Sequence, residues 1–112
     1  MSFAALIDRL AGIQVLVVGD AMLDHYVVGS VDRISPEAPV PILRVEREFD
    51  RVGGAANVAR NLTALNAAAE LFGALGRDPE ASQLRRLLEA QQVDCSGLLT
   101  FSARTTIIKT RI

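Results

Sequence analysis

The sequence predicts an α/β fold with a small β lid, and three stretches carry that prediction. Residues 13–18 form a near-continuous apolar run ending at Gly19 and Asp20, the pattern of a strand covered on both faces in a parallel sheet. Residues 70–75 repeat the pattern and end at Gly76. Between them, Gly53 and Gly54 lead directly into Ala55, Val58, Ala59, Leu62 and Leu65, which recur at the spacing of one helical face. Glycines at a helix start let backbone come close to a ligand, and the first helical amides favour oxygen-rich groups. Asn57 falls in the first turn, carries both donor and acceptor, and suits a hydroxylated ligand. The same residues also describe a plain tight turn, and the segment alone leaves both readings open.

At 112 residues the chain fits one domain. Half of it is apolar, yet no run approaches the roughly 20 residues of a membrane span. A net charge of -1 gives no electrostatic footprint for nucleic acid. The single cysteine, Cys95, excludes an internal disulfide and a cysteine metal cluster, and reads as a packed or surface thiol. The first nine residues lack the basic start and small-residue cleavage site of a signal peptide. They read as a short amphipathic helix of a cytoplasmic protein.

The first strand sets Asp20 beyond its carboxyl end, where open parallel sheets meet their ligands. Asp24 follows a short turn later. The two carboxylates suit sugar hydroxyls or a metal, or else turn and helix-capping chemistry. His25, the one histidine, reads as structural. Residues 26–31 and 43–49 read as strands of a half-exposed β excursion that leaves the main sheet early and returns at Gly53. The second alternates, with Leu43, Val45 and Phe49 on one face and Arg44, Glu46 and Glu48 on the other. Residues 35–41 carry three of the four prolines, which forbid helix and interrupt a ladder. The apolar face of this excursion calls for a cover, either a ligand or another subunit. Asp78 as N-cap and Pro79 at the first helical position start a second helix. Its stripe is Ala81, Leu84, Leu87 and Leu88, with Arg85, Arg86 and Glu89 outside. Residues 95–101 and 105–112 read as strands. In the last, Thr105, Ile107, Lys109 and Arg111 share a face, and the two cations suit either a phosphate or solvent. This pattern runs to the final residue without a cap or turn, so the chain is expected to be part of something longer.

Val17-Val18-Gly19-Asp20-Ala21-Met22-Leu23-Asp24 resembles the opening of the ribokinase-like sugar kinases. Arg33-Ile34-Ser35-Pro36-Glu37-Ala38-Pro39-Val40-Pro41, with Gly53-Gly54-Ala55-Ala56-Asn57-Val58-Ala59, resembles the D-glycero-β-D-manno-heptose 7-phosphate kinases. These stand alone or form the kinase half of a bifunctional kinase/adenylyltransferase that prepares ADP-heptose for lipopolysaccharide. The resemblance runs from about residue 13 to the last. Many sugar kinases share the first-strand and Gly-Gly motifs; the proline-rich lid is the specific part. The resemblance implies that residues 1–112 are the N-terminal part of one ribokinase-like three-layer kinase domain, with a lid at about 26–50. It implies that Asp20 and Asp24 hold sugar hydroxyls, that Gly53 and Gly54 admit backbone to the sugar, and that Asn57 hydrogen-bonds it. The lid would build a homodimer. Lys109 and Arg111, with Arg104, are the candidates for the phosphate the substrate already carries. The intact kinase would use ATP and Mg²⁺ to phosphorylate the anomeric hydroxyl.

The departure from the family is equally informative. Its catalytic Asp lies in a Gly-x-Gly-Asp stretch, and neither that stretch nor a Walker-type loop occurs here. Phosphoryl transfer needs a positioned hydroxyl, charge stabilisation and a bound Mg-nucleotide. These residues supply at most the first, and loss of a general base alone costs about 10²–10⁴-fold in rate. The chain by itself is therefore expected to be inactive, with no catalytic residue, metal or bound cofactor of its own. Two alternatives stay open: a kinase for another sugar, and a module that binds a sugar phosphate or a partner without chemistry.

Overall fold

Two short apolar strands and a small third one form a parallel sheet, and a long hairpin with the final strand forms a second. The computed structural model describes residues Met1–Ile112. In chain order the elements are α1 (Phe3–Asp8), β1 (Gln14–Val18), β2 (Ala21–Ile34), β3 (Pro41–Gly54), α2 (Ala55–Ala64), β4 (Ala68–Gly76), α3 (Pro79–Ala90), β5 (Leu98–Phe101) and β6 (Ile107–Arg111). The first sheet has the order β1-β4-β5, all parallel, and the second β3-β2-β6. β2 and β3 pair antiparallel, and β6 lies parallel on the other edge of β2. No helix is long and apolar enough to cross a membrane.

The core lies between the first sheet, the two longer helices and the base of the hairpin. Leu71 and Leu75 of β4 and Leu84 and Leu88 of α3 are all fully buried members of one core cluster. Ala56 and Ala59 are the buried residues of α2, which touches β1 and β4 on one side and β2 and β3 on the other. Alanines allow that close approach to two sheets. The helical face therefore turns from the expected one: Val58 and Leu65 are exposed, while Ala55 and Leu62 are partly buried. β1 also differs from expectation. It is covered on one face only, and Leu16 and Val18 on the other are 61% and 73% exposed.

The β excursion begins sooner than the sequence suggests. β2 starts at Ala21, so Asp24 stands inside a strand and not after a turn or at a helix cap. The prolines mark the hairpin tip: Pro36 and Pro39 lie in the connecting loop, and Pro41 opens β3, a position where a missing N–H is tolerated. Pairing of the two strands skips Glu46, a bulge between Val28 and Gly29 on the partner. The extra residue reverses the alternation. Phe49 pairs with Tyr26 while Val45 pairs with Gly29, so the expected Leu43, Val45 and Phe49 face is split. The hairpin projects far enough to give the molecule extents of 59 × 42 × 19 Å.

One polar knot ties the sheets together. Asp78 caps α3, its Oδ1 accepting from the Ala81 amide at 2.9 Å. Its Oδ2 accepts from the Thr106 amide at 2.9 Å, and the buried Thr106 hydroxyl accepts from the Gly76 amide at 2.9 Å. The end of β4, the start of α3 and the approach to β6 are thus fixed together. The Thr106 hydrogen bonds hold the Asp78 carboxyl below the usual carboxylate range, with a smaller contribution from the Ala81 amide. Arg85, expected on the solvent side, instead donates to the carbonyls of Cys95 and Leu98 and clamps the segment before β5. α1 is capped by Ser2 and leaves Phe3, Leu6 and Ile7 exposed.

Candidate functional site

Strand register assembles the site. On one face of the second sheet, β6, β2 and β3 present three rows across the strands. The first is Ile107, Met22 and Gly53; the second is Lys109, Asp24 and Arg51; the third is Arg111, Tyr26 and Phe49. Residues directly opposite on neighbouring strands share a face. A cleft of about 350 Å³ opens over these rows and runs to the start of α2.

The glycine pair shapes its floor. A Cβ on Gly53 would come to 2.8 Å from the Asp24 carboxylate, so glycine leaves room for that side chain to lie across β3. Gly54 has φ +58°, and a Cβ there would strike the carbonyl oxygen of Asp20. That carbonyl accepts from the Ala55 amide at 2.8 Å, and α2 has no side-chain cap. Asn57, in the first turn, reaches the same cleft.

Asp24, Gly53, Gly54, Asn57, Lys109 and Arg111 are thereby brought together. Asp20 and Arg104 are not among the lining residues; their exposed side chains face each other at 4.0 Å. Asp24 is the most constrained polar group of the site. Its Oδ2 lies 3.7 Å from the Arg111 guanidinium, and its Oδ1 is buried without a hydrogen-bond partner. A buried acceptor left unsatisfied is costly and uncommon. The cleft also contains Tyr26, Arg51 and Arg60, which the sequence reading passed over. Arg51 stands two residues before Gly53 on the same strand face, and Arg60 one helical turn after Asn57. Both signals acquire meaning only once the strand pairing is known.

The other reactive groups lie elsewhere. His25 is on the opposite face, its Nδ1 2.7 Å from Asp50 and its Nε2 3.8 Å from Glu48, in keeping with a structural role. Cys95 is buried, and desolvation, then Glu89, raises its thiol pKa, which makes it a poor nucleophile. A second hollow of about 340 Å³ lies at the amino ends of β1 and β4, lined by Gln14, Ala68 and Glu70 among others. Ligands of open parallel sheets bind at the opposite ends.

The sequence profile of the pfkB family carbohydrate kinases matches residues 13–111. The chain belongs to this family. It is 54% identical over 107 residues to the bifunctional protein HldE of Acidiphilium cryptum, an alignment covering 96% of this chain and 22% of that protein. It is 49% identical over 105 residues to the D-beta-D-heptose 7-phosphate kinase of Bordetella bronchiseptica, covering 94% and 33%. The chain thus spans between about a fifth and a third of the length of these relatives. Among solved structures it is similar to a carbohydrate kinase from Agrobacterium tumefaciens (TM-score 0.69, 24% identity, 88% of this chain and 30% of that one). It is also similar to the ATP-bound fructokinase of Xylella fastidiosa (TM-score 0.67, 23% identity, 87% and 28%). At these identities the likeness concerns the fold, which is that of the ribokinase-like sugar kinases.

Proposed function

We propose that the cleft holds the sugar of an ATP-dependent heptose 7-phosphate kinase, and that the intact kinase phosphorylates the anomeric hydroxyl to give the 1,7-bisphosphate. The product would feed ADP-heptose synthesis for lipopolysaccharide in the cytoplasm. One observation carries the reading: a carboxylate with one unpartnered oxygen, a glycine pair, an amide side chain and two strand cations meet in one cleft. Asp24 Oδ1 would accept from a sugar hydroxyl, and Asn57 would both donate and accept. Gly53 and Gly54 keep side chains off the floor. Lys109 and Arg111 would face the phosphate the substrate already carries. Asp20, at the rim beside Gly54, would meet the sugar from outside, with Arg104 steadying its carboxylate. The choice of heptose is supported by the two relatives of about half identity, one of them named as a heptose 7-phosphate kinase.

The residues present fit a sugar and do not fit a nucleotide. There is no Gly-x-Gly-Asp stretch, and no group of three or more His, Cys, Asp or Glu is arranged to hold a metal. ATP and Mg²⁺ would supply the phosphoryl group and neutralise its charge in the intact kinase, while these residues orient the accepting sugar. On the lid, Val31, Ile34, Val40 and Val45 are exposed, which supports a homodimer through that surface.

Titration calorimetry of the chain with heptose 7-phosphate, ribose and fructose 6-phosphate tests the reading. The expected result is selective heptose 7-phosphate binding, weakened about tenfold by Asn57→Ala or Asp24→Asn, the scale of one hydrogen bond to a charged or polar partner. A chain that is folded by circular dichroism yet binds none of the sugars would remove the sugar site.

A further inference from the structure

We infer that Arg51 and Arg60 complete a phosphate subsite with Lys109 and Arg111, shaped for the phosphate monoester of a sugar substrate. The inference rests on the sugar-binding reading above and adds two residues to it.

The decisive feature is a set of ion pairs that register makes available and the side chains do not form. Lys109 and Arg51 stand directly opposite Asp24 on its two flanking strands. Opposite charges so placed ordinarily pair. Here the one ion pair in the cleft is Arg111 to Asp24, at 3.7 Å, and neither Lys109 nor Arg51 lies within ion-pair reach of a carboxylate. Arg60 has none either; its guanidinium donates to Asn57 Oδ1 at 3.4 Å. Four cations therefore face a single carboxylate. Like charges gathered in one cleft repel, and an anion entering it relieves that repulsion.

The Arg51 guanidinium is also held in place without being neutralised. Tyr26 and Phe49 stack with ring centroids 4.9 Å apart and planes 4° from parallel. Arg51 lies over both, 5.8 Å from the Tyr26 centroid and 5.3 Å from that of Phe49, and Arg111 lies 5.8 Å from Tyr26. An aromatic face orients a guanidinium and leaves its forked N–H donors free for a planar or tetrahedral anion. A phosphate monoester brings close to two negative charges and three acceptor oxygens, which matches converging forks better than a hydroxyl or a single carboxylate does. Asp24 Oδ1 and Asn57 remain for the sugar itself. Sugar and phosphate are thereby read by separate residues of one cleft.

Calorimetry on the whole chain, with heptose 7-phosphate, unphosphorylated heptose, inorganic phosphate and ADP as probes, tests this. Heptose 7-phosphate is expected to bind more tightly than heptose, and inorganic phosphate to compete with it. Arg51→Gln is expected to weaken heptose 7-phosphate about tenfold or more while leaving heptose binding unchanged, as loss of a charge-assisted hydrogen bond dictates. Arg60→Gln, which also removes a donor from Asn57, is expected to weaken heptose 7-phosphate more than heptose. Arg51→Lys, which keeps the charge and loses the fork, should recover part of the affinity. Arg86→Gln makes the same charge change on the exposed face of α3 and should alter neither. Both cleft arginines are exposed, and matching thermal melts would show the variants folded. Equal affinity for the phosphorylated and unphosphorylated sugar overturns the subsite while leaving the sugar reading in place. Arg51-dependent binding of fructose 6-phosphate without heptose binding does the reverse. Losses reproduced by Arg86→Gln, tighter Arg51-dependent binding of ADP than of the sugar phosphate, or no phosphate binding by the folded chain each overturn the subsite.

Discussion

The two sheets of this molecule differ in what they bury. β1, β4 and β5 are parallel and backed by helices, and together with α2 and α3 they supply ten of the fifteen residues of the core. β2 and β3 are 14 residues each, antiparallel, and mostly half-exposed or exposed away from the start of β2 and the end of β3. Only the hairpin base, with Ala21, Leu23 and Val52, joins the core. The candidate site lies where the two regimes meet. Its residues sit on strands still anchored by that base, while the remainder of the hairpin extends past it. The first sheet supplies rigidity, and the second supplies charged and aromatic side chains in fixed rows.

Truncating a buried leucine should show the contrast most strongly. Leu71→Ala or Leu84→Ala is expected to cost about 2–5 kcal/mol in urea unfolding, a large share of the roughly 5–15 kcal/mol typical of a domain. Val45→Ala on the lid should stay within about 0.5 kcal/mol. A comparable loss at Val45 would mean that the lid has a packed core of its own.

A second perturbation strikes the seam. Gly54→Ala forces a side chain onto a residue with φ +58° and against the Asp20 carbonyl. The expected cost is about 1–3 kcal/mol, and sugar affinity should fall with it because the start of α2 shifts. Affinity retained in a destabilised chain would separate the glycine's conformational role from the cleft.

Asp78 sharpens the comparison further, since it links the sheets. Asp78→Ala should cost about 1–2 kcal/mol through the lost cap. Its pH signature follows from the direction of the shift. The folded carboxyl sits below its ordinary pKa, so its contribution is fully present above the unfolded value of about 3.9. It is lost as pH falls through the still lower folded value. Urea midpoints measured between pH 7 and pH 2 should therefore drop less steeply on acidification in the variant than in the parent chain.

The smallest effect distinguishes two helix ends. Asn66 after α2 and Gln92 after α3 both have positive φ, 66° and 64°. Asparagine tolerates that conformation and glutamine does so less well. Gln92→Gly should raise stability by about 0.5–1 kcal/mol, and Asn66→Gly should change it less. Thermal melts of the pair decide the point.

Most elements were legible from local pattern, because apolar runs, the Asp78-Pro79 helix start and the proline-marked hairpin tip each act over a few residues. Six of the eight candidate residues share the cleft, and they come from four elements, β2, β3, α2 and β6. What escaped was set by pairing. The bulge at Glu46 moved Phe49 to the face of Tyr26, and alternation read along one strand cannot register an extra residue opposite its partner. Asp24 is expected beyond a short turn or at a helix cap, because nothing local says that β2 begins as early as Ala21. Arg51 and Arg60 carry no local signal, and only the pairing of β3 with β2 and the seating of α2 beside them bring the two to one cleft.

The sequence by itself determined the α/β class, the order of strands and helices, and the residue types that meet in the candidate cleft. Those are short-range properties, written in hydrophobic period, capping residues and glycine placement. Tertiary structure alone decided that β6 would join β2, that Asp24 would stand between Lys109 and Arg51, and that Asp20 and Arg104 would pair outside the cleft. These are contacts between residues far apart in the chain, and their energies depend on register and on burial. Neither quantity exists until the strands have come together.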